Sequence, residues 1–280
     1  MNCTNCGTEC TLDGQNCLVC GAFIGFPNVR LAESPEEQEA LAIRVNDAKV
    51  SARARTCEPV LESFGIAMTK SKVVIARSLN VLSNLVNSEN VLYVNFHQAV
   101  ASGARIPESN QWDTGRVAAE STVSPFFFKE LNFGALTLNG KGLSSYGPYS
   151  IVLKDKAIEL RTTVFEENPF IFCKRHKISA GQPAPLGFRA TWAQRDLLAK
   201  AKLHSKLSSS TKEADFSSVI MTEDIDPERT DFLEAHIYGV IHRNAIERVI
   251  GPKPIKGAAR VIWKDVKEQL TKLGAELETI

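Results

Sequence analysis

Two short cysteine knuckles open the chain and constrain its folding more tightly than any other stretch. Cys3-Thr-Asn-Cys6-Gly7 and Cys17-Leu-Val-Cys20-Gly21 have ten residues between Cys6 and Cys17. Two Cys-x-x-Cys pairs at this separation supply four thiolates to one tetrahedral ion, and zinc suits such a set. The glycine after each pair lets the backbone turn tightly around the metal. Cys3, Cys6, Cys17 and Cys20 are therefore expected to be ligands of a structural zinc ribbon over residues 1–30, with Cys10 a spare thiol. Five of the seven cysteines lie in the first twenty residues. That clustering is the pattern of a metal site and not of a disulfide framework spread over a domain. No basic and then apolar leader follows Met1, so the expected compartment is the reducing cytoplasm.

Composition bounds the remainder. Apolar residues make up 44% and charged residues 23%, the balance of a soluble globular protein. No window approaches the roughly 18 uncharged apolar residues of a membrane span, so no membrane partner is expected. Lys and Arg number 33 against 32 Asp and Glu, a net charge of +1. Global charge gives no argument for binding a polyanion, although a local patch stays open.

Ser34-Pro35-Glu36-Glu37 reads as a helix start: Ser34 caps, Pro35 suits the first turn, and Glu37 completes a capping box. That helix is expected to run into Arg53–Arg55. A second helical stretch over Val60–Val86 makes residues 31–88 a helical segment. From Val91 the pattern changes to strands. Val91–His97 sets Leu92, Val94 and Phe96 on one face and Tyr93, Asn95 and His97 on the other. Gly103–Glu120 reads as a polar loop carrying Trp112. Further strands are expected at Phe133–Leu138, Tyr149–Lys154, Ala157–Phe165 and Ser217–Thr222. Helices are expected at Trp192–Leu207, at Asn244–Ile250 and from Ala258. Strands that do not alternate regularly with helices imply an α+β fold with a largely antiparallel sheet over residues 89–280.

Asp231-Phe-Leu-Glu-Ala-His-Ile-Tyr-Gly239 alternates most cleanly. Leu233, Ala235 and Ile237 point one way; Glu234, His236 and Tyr238 share the other face with Phe232. A carboxylate and an imidazole two residues apart on one strand face suit a polar cleft. The glycines form neither G-x-G-x-x-G nor a Walker A loop, and no G-x-S-x-G or H-E-x-x-H is present.

Taken in order, Asn95-Phe-His97, Gln111-Trp-Asp-Thr-Gly115, Phe133-Gly-Ala-Leu136, Tyr146-Gly147, Leu153-Lys154, Arg161-Thr-Thr163 and Glu234-Ala-His-Ile-Tyr-Gly239 resemble a bacterial family of the ADP-ribosyltransferase superfamily. The resemblance covers roughly Val91–Gly239. Phe133 stands where that family has Tyr, Glu166-Glu-Asn168 where it has Gly-Asp-Ser, and Ser121-Thr-Val-Ser124 is a loose echo of Ser-Thr-Ser. The resemblance implies a split sheet and transfer of ADP-ribose from NAD to a macromolecular acceptor. Glu234 would stabilise the oxocarbenium-like transition state, and His236 would face the same cleft and position the acceptor. Asn95 and His97 would hold NAD, His97 in the place of the superfamily's first-strand His or Arg. Trp112 or Tyr146 would stack on nicotinamide. Arg161, with Thr162 beside it, would reach the pyrophosphate. A ribbon joined to such a domain suits an RNA or DNA acceptor, and a transferase without an export signal suits a toxin of a toxin–antitoxin or phage-defence system, paired with an antitoxin. Two other classes compete. A metal-dependent nuclease or hydrolase would use His97, Glu234, His236 and His242. A non-enzymatic adaptor would bind nucleic acid through the ribbon.

Overall fold

The computed structural model describes residues 2–108, 111–179, 181–254 and 256–280, with the backbone alone for Gln111 and Trp112. Among the described residues, eight strands hydrogen-bond into one sheet. They are β1 (Lys72–Arg77), β2 (Leu131–Thr137), β3 (Tyr149–Leu153), β4 (Thr162–Phe165), β5 (Arg189–Thr191), β6 (Glu234–Tyr238), β7 (Ile246–Gly251) and β8 (Glu276–Thr279). Their order is β8-β7-β3-β1-β2-β6-β4-β5. Every neighbouring pair is antiparallel except β7 with β8 at one edge. The α+β class and the largely antiparallel sheet are as expected.

The sheet is joined in its middle by very little. β1 meets β2 over three residue pairs, Lys72 with Thr137, Val73 with Leu136 and Val74 with Ala135. Beyond Val74, β1 continues to Arg77 with β3 as its partner. Leu131–Gly134 of β2 pairs instead with β6. The halves β8-β7-β3-β1 and β2-β6-β4-β5 therefore part beyond the join and leave a fork. Gly134 sits at its root: a Cβ there would lie 2.6 Å from Val73 Cγ1 and 3.0 Å from the Val74 carbonyl oxygen. A glycine inside a strand marks such a close approach.

Alternation gives each sheet face its job. Val73, Ile75, Leu136, Ile151, Val164, Ala235 and Ile237 enter one large core. That core is closed by α2 (Pro35–Ala54), α3 (Glu58–Met68) and α8 (Arg195–Leu203) through residues such as Leu41, Leu61, Phe64 and Leu198. Leu82 and Leu85 of α4 (Leu79–Asn87) and Trp263, Val266 and Leu270 of α9 (Gly257–Lys272) extend it beneath β3 and β7. A fully buried Leu or Phe of this set contributes about 1.5–3 kcal/mol. The opposite face carries Val74, Ala135 and Glu234, and on it stand α5 (Phe96–Ala101), α6 (Gln111–Val123) and α7 (Pro169–Arg175). A further helix, α1 (Pro27–Ala32), follows the ribbon.

Several expected elements take another form. Lys72–Arg77 lies inside the stretch read as helical and becomes a middle strand, because Val73-Val-Ile75 is a β-branched run that periodicity alone does not separate from helix. Residues 31–88 are thus part of the sheet domain. Val91–His97 is not one strand: Leu92–Tyr93 pairs with Ile241–His242, and Asn95 then caps α5. Asn95 accepts from the Gln98 N–H at 2.8 Å, and Gln98 Oε1 accepts from the Asn95 N–H at 3.2 Å. That reciprocal capping box turns the chain into helix. Much of Gly103–Glu120 is α6 instead of loop. Ala157–Phe165 is strand only from Thr162, and Ser217–Thr222 is mostly the helical turn Phe216–Ile220. Asn244–Ile250 is mainly β7, again a β-branched stretch. Ser34 does cap α2, but the Glu37 carboxylate leaves the capping box. It accepts from the Gly187 N–H at 2.6 Å and pairs with Arg189 at 2.7 Å. No described helix is long and apolar enough to cross a membrane.

The join at Gly134 gives a stability test. Gly134→Ala is expected to cost about 1–3 kcal/mol in urea unfolding, the usual price of overpacking. In combination with Val73→Ala the two costs should be less than additive, since the second change removes the atom the new methyl meets.

Candidate active site in the fork of the sheet

The fork encloses a cleft of about 660 Å³, within the range of small-molecule sites. Arg77 at the end of β1 and Tyr93 line one side. Phe133 of β2 with Glu234 and Phe232 lines the other, and Phe96, Arg116 and Glu120 from α5 and α6 complete the wall. Tyr146 also lines it, from a turn fixed at two points. The Glu223 carboxylate accepts from the N–H groups of Ser144 and Ser145 at 2.9 and 2.7 Å. Gly147 lies against the backbone of Arg77 so closely that a Cβ would fall 2.2 Å from its carbonyl carbon.

Glu234 begins β6 and is 5% exposed. Burial, and then the neighbouring Glu120 carboxylate, push its pKa well above the ordinary 4.5; Arg116, a hydrogen bond from Asn168 and Lys202 oppose the shift. Beneath it, His236 Nε2 lies 3.0 Å from Glu234 Oε1. Burial and the Arg189 charge lower the His236 pKa to about 3. The ring is wedged between Phe133 and Phe165, with centroids at 5.0 and 5.4 Å. A neutral imidazole and a carboxyl of raised pKa share a hydrogen bond, so this contact is not an ion pair. Asn168 caps α7 through the Phe170 N–H at 3.0 Å, which fixes the amide that meets Glu234.

Glu120 faces this carboxyl from α6. Its Oε2 lies 2.6 Å from His97 Nε2 and its Oε1 accepts from Arg116 at 3.2 Å. Arg105 forks onto Asp113 at 2.8 and 3.1 Å. Both guanidinium groups lie over the Phe96 ring, 4.8 and 4.9 Å from its centroid, a cation–π arrangement. Arg77 donates to the Ala76 carbonyl oxygen at 2.6 Å and to the Tyr93 hydroxyl. Among the described residues it pairs with no carboxylate. Tyr146 is half exposed as a residue, yet burial first and the Glu234 carboxyl second raise the pKa of its phenol.

The expected site residues divide accordingly. Glu234, Tyr146 and Asn95 line the cleft; Asn95 does so as a helix cap whose amide also donates to the carbonyls of Lys129 and Leu131 at 2.7 and 2.9 Å. His97 and His236 lie behind the wall and hold the two carboxyl groups, so His236 does not face the cleft and His97 is not on the first strand. Arg161 does not reach the cleft: its guanidinium donates to the Tyr238 and Ala157 carbonyls at the outer end of β6. Thr162 is fully buried and donates to the Ile158 carbonyl at 2.7 Å. The Trp112 side chain lies outside the described residues. His242 sits apart, with Nε2 2.9 Å from the Glu89 carbonyl oxygen. His97, Glu234, His236 and His242 therefore form no metal cluster among the described residues. Sequence reading missed Arg77, Arg105, Arg116, Glu120 and Asn168. Arg116-x-x-x-Glu120 has the spacing of a helical ion pair, and Asn168-Pro169 is a cap followed by a first-turn proline; both signals were present.

The four knuckle cysteines converge. Cys3 Sγ lies 3.6 Å from Cys20 Sγ, Cys6 Sγ lies 3.6 Å from Cys17 Sγ, and all four fall within 4.8 Å of one another. Zn–S bonds of about 2.3 Å set tetrahedral S···S edges near ~3.8 Å, so the group can hold a metal such as zinc. Cys10 is not part of it. The ribbon is fastened to β6. Arg30 donates to the carbonyls of Thr11 and Gly14 at 3.0 and 2.7 Å. Asn28 donates to those of Arg161 and His236, both at 3.0 Å. Phe26 packs on Tyr238, with ring centroids 5.7 Å apart. Arg30 is the sole basic residue of positions 1–30 and is spent on this joint. The ribbon accordingly offers no cationic surface to phosphate, which weakens the adaptor reading and the ribbon's expected part in contacting RNA or DNA.

No protein-family model matches the chain, and no curated protein matches it in sequence.

Zinc analysis should find about one ion per chain, lost in Cys17→Ala. Asn28→Ala should keep the ion and still lower stability in urea unfolding by about 1–3 kcal/mol, because it leaves buried carbonyls unpaired.

Proposed function

We propose that the fork binds NAD and that the protein transfers ADP-ribose from it to an acceptor. The observation that carries this reading is the Glu234 carboxyl, buried opposite the ion-paired Glu120 in a cleft also lined by a guanidinium, Arg77, that has no carboxylate partner among the described residues. Cleaving the nicotinamide–ribose bond develops positive charge on the ribose, and a fixed carboxylate beside it stabilises that charge. The sheet's first strand ends at Arg77, which takes the place the resemblance gives to a basic first-strand residue. Arg77 then holds pyrophosphate oxygens, the role earlier given to Arg161. Tyr146 and Phe133 offer ring faces to nicotinamide. His236 and Asn168 are positioning residues that aim Glu234, and His97 aims Glu120. The partly splayed sheet agrees with the split sheet implied by the resemblance. A toxin or defence effector acting inside the cell fits this activity, and expression that is toxic for wild type and harmless for Glu234→Gln would support that role.

Nicotinamide release from NAD tests the reading. Glu234→Gln should slow it by about 10²–10³-fold, the usual effect of deleting a transition-state charge partner. Arg77→Ala should raise KM for NAD by about 10–100-fold, the worth of a hydrogen bond to a charged group. No release by wild type with protein, RNA or DNA present would sink the proposal. The pH profile adds a sign. Glu234 is neutral below its raised pKa and a carboxylate above it, so kcat/KM should climb with pH through that value. Glu120→Gln removes a repelling charge and should move the rising limb to lower pH.

A further inference from the structure

A second pocket of about 330 Å³ adjoins the fork. Arg116, Glu120, Tyr146, Asn168 and Phe232 belong to the walls of both. Beyond them the second pocket is bounded by Pro169, Phe170 and Ile171 of α7 and by Pro227 and Thr230 of the loop that leads into β6. Its charged groups are paired with each other, Arg105 with Asp113 at 2.8 Å and Arg116 with Glu120 at 3.2 Å. Two of its polar side chains are likewise engaged. Asn168 takes the Phe170 N–H, and the Thr230 hydroxyl bonds to Asp224. What remains to a ligand is chiefly the ring faces of Tyr146 and Phe232 and the proline edges, with Arg116 Nε and the Tyr146 hydroxyl beside them. Such a slot rewards a flat, uncharged ring through stacking and gives little to a charged side chain, whose desolvation it does not repay.

Resting on the NAD reading, we propose that this pocket is the acceptor site and that its ligand is a nucleobase, from a free nucleoside or a single strand. In the reaction, the bond from the ribose anomeric carbon to nicotinamide breaks and nicotinamide leaves neutral with the bonding pair. A nitrogen or oxygen of the base forms the new bond to that carbon. The base's proton passes to a carboxylate of the Glu120–Glu234 pair and then to water. A base stacked in a duplex is withheld from the slot unless it is flipped out.

The test uses NAD radiolabelled in its ADP-ribose half, offered separately with nucleosides, single-stranded DNA and RNA oligonucleotides, duplex DNA and a histone mixture. Wild type should label the nucleosides or the single strands; the arm that is labelled identifies the source. Pro227→Trp and Ile171→Trp fill the pocket and should cut that labelling by about tenfold or more, some 1.4 kcal/mol, while nicotinamide release to water continues. Pro227→Trp is the safer variant, because its residue is on an exposed loop. Nicotinamide release with label on histones alone, or unchanged oligonucleotide labelling in Pro227→Trp, overturns the acceptor proposal and leaves the NAD reading standing. If wild type releases no nicotinamide, the NAD reading is what fails. Binding of a fluorescent single-stranded oligonucleotide then decides the pocket: weaker binding by Pro227→Trp upholds it, and equal binding overturns it.

Discussion

The burial of the Glu234 carboxyl is the constraint around which the rest of the structure is arranged. An isolated carboxylate removed from water is costly, and the cost is relieved by proton uptake or by partners. Glu234 has both routes. Its pKa is raised, and His236, Asn168 and Arg116 stand around it. His236 serves because it is neutral: a charged imidazole packed between Phe133 and Phe165 would carry its own desolvation cost. The result is a carboxyl fixed in direction and poised to change charge, a combination that marks functional sites more often than structural ones.

Fixing that carboxyl requires β6 to be held from both ends, and different parts of the chain do so. At its start, Lys202 donates to the Phe232 carbonyl at 2.9 Å and pairs with Asp231. At its far end, Asn28 takes the His236 carbonyl and Phe26 covers Tyr238. The ribbon is therefore a brace on the back of the strand that carries Glu234. This explains how so small a unit is ordered against the domain while presenting Leu18 and Val19 outward, at 85% and 70% exposure.

Much of this was legible in residue order. The knuckles declared four ligands by spacing, and the alternation of Leu233–Tyr238 separated the core face from the opposite one, since both follow from local geometry. On that opposite face Glu234 lines the cleft while His236 and Tyr238 do not. What could not be read was set by partners distant in the chain. Lys72–Arg77 and Ile246–Gly251 are β-branched runs whose strand character is decided by β3, which lies between them. His97 looked like a strand residue until the Asn95–Gln98 capping box, written in the same few letters, was weighed against the apolar alternation. Arg161 lay next to a strand with the right chemistry, but its side chain turned to the outer carbonyls. Glu120 and Arg116 were hidden because a glycine and polar residues made a helix resemble a loop.

The charge arrangement of the fork bears on the order of events at the site. At rest, Arg116 and Glu120 satisfy each other, as do Arg105 and Asp113, leaving the Arg77 cation and the carboxyl of Glu234, neutral below its raised pKa. A ligand that brings only phosphates answers Arg77 and does nothing for Glu234. One that brings only a cation favours ionised Glu234, since an opposite charge at close range lowers a carboxyl pKa, but leaves Arg77 without an anion. On the proposed reading, NAD brings both: a pyrophosphate for Arg77 and a cationic nicotinamide ring for Glu234. Binding would then draw the proton from Glu234 and produce the carboxylate the transition state needs, only when the bond to be broken is in place. Burial first, and then the charge of Glu120, raise the Glu234 pKa, and on the proposed reading that makes its ionisation depend on the ligand.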